Sequence, residues 1–282
     1  MNILTAAIPL KENELREALK YYQEEGKLQN HIHMYSLLKS MITHIGSTDS
    51  VLRDQLIYSS FCQLSLDNQI EHGLYIELAE YCVSKAFMFQ GIGECGTDTV
   101  FTRSFSTLLL ALILYKDNKE DFLPQSMVDK IKESMILYIN AEKDLRGYVP
   151  NKGWAHSIAH ASDVFDELAK NNKIGRESAI DLLKSLWNKI YVHQSVYVHD
   201  EDERIITAVI QLVHNGLIVE VAELIRNMPS KLQELKEQLD EENYRYLYAN
   251  CKGFLKSFHY TIKESEGLLI LQKEIDSCLE EI

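Results

Sequence analysis

Apolar residues recur along most of the chain at a spacing close to 3.6 residues, which predicts amphipathic α-helices. In 12-ENELREALKYYQEE-25, for example, Leu15, Leu19 and Tyr22 lie on one helical face. Only four prolines interrupt the sequence, and the alternating apolar and polar runs that mark β-hairpins are almost absent. The pattern therefore predicts an all-α protein with about eleven helices of ordinary length.

The predicted helices are joined by short connections, and no long Gly/Ser-rich or Pro-rich linker divides the chain. We therefore expect one all-helical domain over residues 1–282. Helix pairs recur about every 35 to 45 residues, the range of helical repeats, and such pairs stack to bury their apolar faces. This favours an α/α superhelix, a HEAT-like helical solenoid. A compact globular helical bundle is the alternative.

Charge and composition limit the classes of partner. The formal net charge is −13, which argues against binding to nucleic acid, because that affinity comes largely from Lys and Arg contacts to phosphates. The amino end lacks the basic start and apolar run of a signal peptide. The most apolar stretch, 105-FSTLLLALILY-115, is shorter than the roughly 20 residues that span a bilayer. We expect a cytoplasmic protein that binds neither nucleic acid nor membranes.

The five cysteines are odd in number, widely spread and without a C-x-x-C pair. This distribution is typical of reduced thiols in a cytoplasm rather than of a disulfide framework.

The stretch 91-GIGECG-96 matches the G-x-G-x-x-G pattern of dinucleotide-binding loops. That fingerprint requires a strand before it, whereas 75-YIELAEYCVSKAFMFQ-90 has a helical pattern. The segment is therefore predicted to be an interhelical turn.

Arg103 lies near the start of 100-VFTRSFSTLLLALILY-115, which is apolar nearly all round and so predicts an enclosed helix. A buried guanidinium must be paired, because removing its water is costly. The setting favours an ion pair between helices, with Asp98 or a more distant acid as the partner. An anionic ligand is the alternative. In 200-DEDER-204, the acids favour a helix start, with Asp200 or Asp202 as the cap. The helix that follows is predicted to stop at Asn215-Gly216.

The segment 151-NKGWAHSIAHASD-163 carries the strongest candidate chemistry. Pro150 and Asn151 predict a helix start, with Asn151 as the N-cap. On that helix one narrow polar stripe is formed by His156, His160, Asp163 and Glu167. The main apolar face lies on a different side, so the histidines are expected outside the core, facing either bulk water or a groove.

Two histidines four residues apart on a helix can bind a metal, and a nearby carboxylate suits a divalent ion such as zinc. The predicted metal ligands are His156, His160 and Asp163. His156 and Asp163 are about 10 Å apart along the axis, so a real site would need further ligands, or Asp163 would orient His160. An ordinary helix surface is the alternative.

The segment before the predicted helix supplies cations and glycines. Arg146 and Lys152, beside Gly147 and Gly153, are typical of anion binding at a helix N-terminus. Trp154 offers a flat wall for a pocket. The candidate ligand-binding residues are therefore Arg103, Arg146, Lys152, Trp154 and Arg204.

Three stretches, 103-RSF-105, 144-DLRGYVPNKGWAHSIAHASD-163 and 201-EDER-204, resemble a bacterial family known as domain of unknown function 2785. The matching positions are Arg103, Arg146, Gly147, Lys152, Gly153, Trp154, His156, His160, Asp163 and Arg204. The resemblance covers most of the chain from about residue 50 onward. It implies an all-helical, HEAT-like fold in a cytoplasmic bacterial protein, and it implies no activity.

Two functions are consistent with these observations. The first is a helical binding protein whose groove accepts a peptide, a protein or an anionic small molecule. The second is a metal-dependent hydrolase in which His156, His160 and Asp163 contribute to the ion and its water.

Overall fold

A computed structural model describes residues 3–282 of the chain. The chain is organised in two compact units, one ending at Val164 and the other spanning Phe165–Ile282, and each unit is described by itself. Helices make up almost all of the regular structure in the described residues, which confirms the predicted all-α class. The superhelical arrangement and the single domain stay predictions.

The first unit contains mostly helices and one short β-hairpin. Its elements are α1 (Ile3–Ala6), α2 (Glu12–Glu25), α3 (Met34–Thr43), a π-helical segment (Val51–Tyr58) that continues into α4 (Ser59–Leu66), α5 (His72–Cys82), α6 (Thr99–Glu120), α7 (Gln125–Ala141), strands β1 (Tyr148–Val149) and β2 (Gly153–Trp154), and the beginning of α8 (Ser157–Lys170).

Helix α6 is a long, largely enclosed helix of this unit. Buried apolar side chains occur around its whole circumference, among them Val100, Phe105 and Leu110. This confirms the expectation drawn from its nearly uniform apolar sequence. Its first turns carry Arg103 and Ser104, both fully buried, so the polar groups that α6 presents must find partners inside the protein.

The predicted helix start at Pro150 and Asn151 is wrong. The chain instead forms an antiparallel hairpin in which Tyr148 pairs with Trp154 and Val149 with Gly153. Helix α8 begins only at Ser157. Asn151 has a φ of 64° and Gly153 a φ of 80°, and this left-handed backbone suits a tight turn rather than the first turn of a helix.

The second unit is entirely helical. Its elements are the remainder of α8, α9 (Arg176–Trp187), a 3₁₀ turn (Asn188–Tyr191), α10 (Glu201–Leu212), a π-helical segment (Val213–Leu217), α11 (Ile218–Arg226), α12 (Met228–Lys236), α13 (Glu241–Ile262), a 3₁₀ turn (Glu266–Leu268) and α14 (Leu269–Glu281). Helix α11 packs on α14, and α10 packs on α13.

Two predicted helix ends can be compared with this unit. Asp200 occupies the N-cap position of α10 as expected, but its side chain makes no capping hydrogen bond and its φ is 65°. Gly216 was predicted to stop the helix that starts after Asp200. It has a φ of 91° and breaks the helical geometry between α10 and α11. The sequence therefore placed both boundaries, although the capping contact at Asp200 is absent.

Two helical stretches are long and apolar enough, by length and composition alone, to cross a membrane: Thr99–Glu120 and Glu201–Lys236. In the first, 72% of the apolar window is buried inside the protein. A buried core helix passes the same test, so these stretches are weak evidence for a membrane. The expected cytoplasmic location stays a prediction.

Candidate functional site

The β-hairpin exposes two large aromatic side chains next to each other. Tyr148 and Trp154 face each other across the two strands, and they are 49% and 40% exposed. Their ring centroids are 5.0 Å apart and their planes meet at 76°. We call this pair the aromatic corner. Large exposed aromatic groups on a fixed backbone are typical of recognition surfaces.

Arg53 holds the hairpin from below. Its side chain is fully buried, and its Nη2 donates to the carbonyl oxygens of Lys152 at 2.8 Å and Trp154 at 3.3 Å. Its Nη1 donates to the carbonyl oxygen of Ser47 at 2.6 Å. One guanidinium thus fixes the backbone on both sides of Gly153, which gives the aromatic corner a rigid base.

The guanidinium of Arg53 also lies between two rings of α6. It is 4.3 Å from the ring centroid of Phe101 and 4.7 Å from that of Phe105. Asp54 supplies the counter-charge, with its Oδ1 2.8 Å from Nε, although the two atoms are not aligned for a hydrogen bond. Burial lowers the pKa of Arg53 and raises that of Asp54, and their mutual attraction opposes both shifts.

Gly153 allows the hairpin to approach the π-helical segment closely. A Cβ atom at this position would lie 2.7 Å from the Cβ of Ser50 and 3.1 Å from Nη2 of Arg53. The φ of 80° also disfavours any side chain. Glycine is therefore required here both by backbone conformation and by space.

His156 lies between the hairpin and α8 rather than within the helix. Its φ is 47°, a strained value for a residue with a side chain. Its backbone N–H donates to the carbonyl oxygen of Arg146 at 3.1 Å. Its ring packs on Trp154 with centroids 4.4 Å apart. His156 therefore extends the aromatic corner on the side of Trp154.

His160 is in the core, which corrects the expectation that both histidines lie outside it. It is only 7% exposed. Its ring meets the edge of Phe105, and its Nδ1 lies 2.8 Å from Oγ of Ser104. Because α8 begins at Ser157 rather than at Asn151, His156 lies outside the helix. Ser104 of α6 offers His160 a buried polar partner that the local sequence does not reveal.

The proton positions around His160 follow from its neighbours. Oγ of Ser104 also contacts the carbonyl oxygen of Ala155. A carbonyl oxygen can only accept, so the single Ser104 proton points toward it. The hydrogen between Ser104 and His160 must then belong to Nδ1 of His160.

The three predicted metal ligands are not gathered into one cluster. The ring centroids of His156 and His160 are 5.7 Å apart, and Asp163 lies farther along α8, half-buried. Within residues 3–282, no group of three or more His, Cys, Asp or Glu side chains is placed to hold a metal ion.

The two predicted anion-binding cations beside the hairpin are both paired with acids. Nε of Arg146 donates to the buried Asp144 at 2.8 Å, and this contact, first of all, raises the pKa of Arg146. Nζ of Lys152 lies 2.6 Å and 2.7 Å from the two carboxylate oxygens of Asp98. An anion at this surface would therefore compete with carboxylates already in place.

Arg103 is an internal residue, which corrects its prediction as a ligand-binding residue. Its guanidinium is fully buried and makes a two-pronged contact with Glu142, at 2.7 Å and 2.9 Å. Burial alone would lower the pKa of Arg103, but the contact with Glu142 outweighs it and the pKa is raised. The ion pair between helices was the favoured interpretation, and of its two proposed partners, Asp98 or a more distant acid, the structure shows the distant one, Glu142.

The glycine-rich stretch 91–96 is a turn, as predicted. Nη1 of Arg103 donates to the carbonyl oxygens of Gln90 and Gly91. The N–H of Gly96 donates to Asp144 at 2.9 Å. The loop is thus fixed to the segment that precedes the hairpin by internal contacts.

Arg204 belongs to the second unit, where it lies exposed in the first turn of α10 and donates its backbone N–H to the carbonyl oxygen of Asp200.

Sequence reasoning missed Arg53 and Ser104. Arg53 lies in 51-VLRDQLIY-58, where a cation amid apolar residues was the available signal. Ser104 follows Arg103 directly, inside a helix recognised as enclosed.

The comparisons with known proteins are sparse. No curated protein matches the chain, and no solved structure matches it. A family profile described as "Protein of unknown function (DUF2785)" matches residues 88–260, a range that includes α6, the hairpin, α8 and α10. This match covers more than half of the chain, so the protein belongs to the DUF2785 family.

Proposed function

We propose that this protein is a binding module that recognises a peptide through the aromatic corner of its hairpin. The observation that carries the proposal is the pair Tyr148 and Trp154, both substantially exposed. Trp154 lies on the strand that buried Arg53 holds, and Tyr148 pairs with it across the hairpin. The HEAT-like superhelix and cytoplasmic location expected from the sequence are part of this proposal.

Rigid aromatic side chains are efficient binding groups. Tyr and Trp bury a large area while losing few rotatable bonds, so less of the interaction free energy is spent on ordering. The hydrogen bonds from Arg53, the contact of Gly153 with Ser50 and the packing of His156 on Trp154 fix the corner before any ligand arrives.

A peptide fits this surface better than an anionic small molecule. Of the cations expected to hold an anion, Arg204 lies in the second unit. The other three are already in ion pairs, Arg103 with Glu142, Arg146 with Asp144 and Lys152 with Asp98. Binding an anion would require breaking an ion pair at each position. Aromatic contacts require no such exchange.

Selection from a random peptide library tests the proposal. Immobilised wild-type protein should enrich peptides that bind it. These peptides should lose most of their affinity for the variants Tyr148→Ala and Trp154→Ala. The matched control is Tyr260→Ala, because Tyr260 is 70% exposed but lies in the second unit. Enriched peptides that bind both hairpin variants as well as the wild type would contradict the proposal.

A metal-dependent hydrolase is the second candidate, and one observation favours it. Nδ1 of His160 donates to Oγ of Ser104, an outer contact of the kind that orients histidine ligands in metal sites. Because the three predicted ligands are not gathered into one cluster, the site would require His156 and Asp163 to move toward His160 when the ion binds. Elemental analysis of tag-free protein tests it: bound zinc that is lost in His160→Ala supports the site, and equal metal content in both proteins contradicts it.

A further inference from the structure

We infer that the peptide presents a cationic side chain, arginine above all, to the aromatic corner formed by Tyr148 and Trp154. This inference rests on the proposed function and names the chemistry of its ligand. The faces of aromatic rings carry negative electrostatic potential, and a guanidinium stacks on them while keeping its edge hydrogen bonds.

The geometry of the corner suits such a group. The two rings meet edge to face, with planes at 76° and centroids 5.0 Å apart, and His156 packs on one face of Trp154. A guanidinium can therefore stack on the exposed face of Tyr148 while it lies beside the indole of Trp154. Both rings are about half exposed, which leaves area for a planar guanidinium.

The chain contains the same contact in its interior. Directly below the hairpin, Arg53 lies 4.3 Å and 4.7 Å from the ring centroids of Phe101 and Phe105. On the surface, Lys263 lies 3.9 Å from the ring centroid of Tyr260. Cations on aromatic faces are thus an arrangement that this protein forms elsewhere.

Charge favours a cationic ligand over an anionic one. The net charge is −13, so the long-range field draws positively charged peptides toward the protein. At the hairpin turn, the exposed carboxylate of Asp98 meets Lys152, and Arg146 is neutralised by Asp144. Each of these two cations, Arg146 and Lys152, has an acid beside it. Neither therefore repels an incoming arginine as an unpaired charge would.

Trp154 provides a direct readout, because the chain has two tryptophans and Trp187 is buried against Phe254. In a Trp187→Phe background, Trp154 fluorescence is titrated with a Gly/Ser peptide that carries spaced arginines, and with the same peptide in which citrulline replaces every arginine. Citrulline keeps the planar shape and removes the charge. If Trp187→Phe does not fold, calorimetry on the wild-type protein replaces fluorescence.

We expect saturable binding of the arginine peptide, about tenfold weaker binding of the citrulline peptide and a similar loss in Tyr148→Ala. Tyr260→Ala should bind like the parent protein. Equal binding of both peptides, or equal binding to Tyr148→Ala, overturns the inference. If library-selected peptides bind the corner while the arginine peptide does not, the cationic ligand is wrong and the proposed function stands. If no peptide of either kind binds, both are wrong.

Discussion

At the scale of single residues, the candidate surface depends on two positions that its exposed groups do not reveal, Arg53 and Gly153. Arg53 fixes the carbonyl oxygens on either side of Gly153, and the absence of a side chain at Gly153 lets the hairpin reach Ser50. The aromatic corner is therefore set by buried contacts, and its variants should separate folding from recognition.

The first prediction concerns Gly153→Ala. Its Cβ would meet Ser50 and Arg53 at distances that require movement, so we expect a free energy of unfolding lower by about 1–3 kcal/mol beyond the backbone cost alone. The control is Gly93→Ala, where φ is 88° but the added Cβ meets open space. This variant should lose only the backbone cost, about 1–2 kcal/mol of unfolding free energy. Denaturant unfolding measures both. Equal losses would show that the close approach is unimportant.

The buried ion pair gives a second prediction. Arg103→Met leaves the carboxylate of Glu142 buried without its partner, which should cost about 3–5 kcal/mol of unfolding free energy. The double variant Arg103→Met/Glu142→Leu should recover a large part of that loss. Arg245→Met, in a well-exposed pair with Glu241, should change stability by less than about 1 kcal/mol. An Arg103→Met protein as stable as Arg245→Met would contradict this account.

At the scale of elements, periodicity predicted most helices correctly. It failed at the hairpin and over residues 83–90, because α5 ends at Cys82. Asn151 resembles a helix cap in sequence, but with a φ of 64° it forms a turn instead. The deciding contacts come from Arg53, about a hundred residues away in the chain. No local pattern contains that information. His160 was predicted on an outward polar stripe for a similar reason, because its buried partner Ser104 is also distant in sequence.

Arg53→Lys tests how the hairpin is held. A lysine cannot donate to the carbonyl oxygens of Ser47, Lys152 and Trp154 with one fixed fork. We expect the helical content to remain and the Trp154 side chain to become more accessible to acrylamide quenching, measured in the Trp187→Phe background. Arg245→Lys is the control, since its pair is exposed. Unchanged quenching would mean that Arg53 does not hold the hairpin.

At the scale of the whole molecule, the fold class was predictable because it depends on the spacing of apolar residues along the entire chain. The candidate site was predictable only in part. Trp154 and the histidines were recognised from their local segment, whereas Tyr148 as their partner required the hairpin register. The pairing of Arg103 with Glu142 required contacts between residues far apart in sequence.

Both units contain a tyrosine whose ionisation opposes folding. Burial, first of all, raises the pKa of Tyr22 to about 12 and that of Tyr191 to about 12. In the unfolded chain a tyrosine phenol ionises near pH 10. Above that pH the unfolded state releases a proton that the folded state retains. The free energy of unfolding therefore falls as pH rises toward 12. Tyr22→Phe should flatten this fall, and exposed Tyr35→Phe should not. Unfolding free energies measured from pH 9 to 11 decide it; identical slopes in the three proteins would contradict the prediction.

The central claim is that a ligand contacts the rigid aromatic corner. Fluorine NMR of wild-type protein labelled with fluorotryptophan tests it most directly, because Trp154 and Trp187 each give one resonance. Titration with a library-selected peptide should shift the Trp154 resonance saturably and leave that of Trp187 in place. A peptide that binds while the Trp154 resonance stays unchanged would contradict the account.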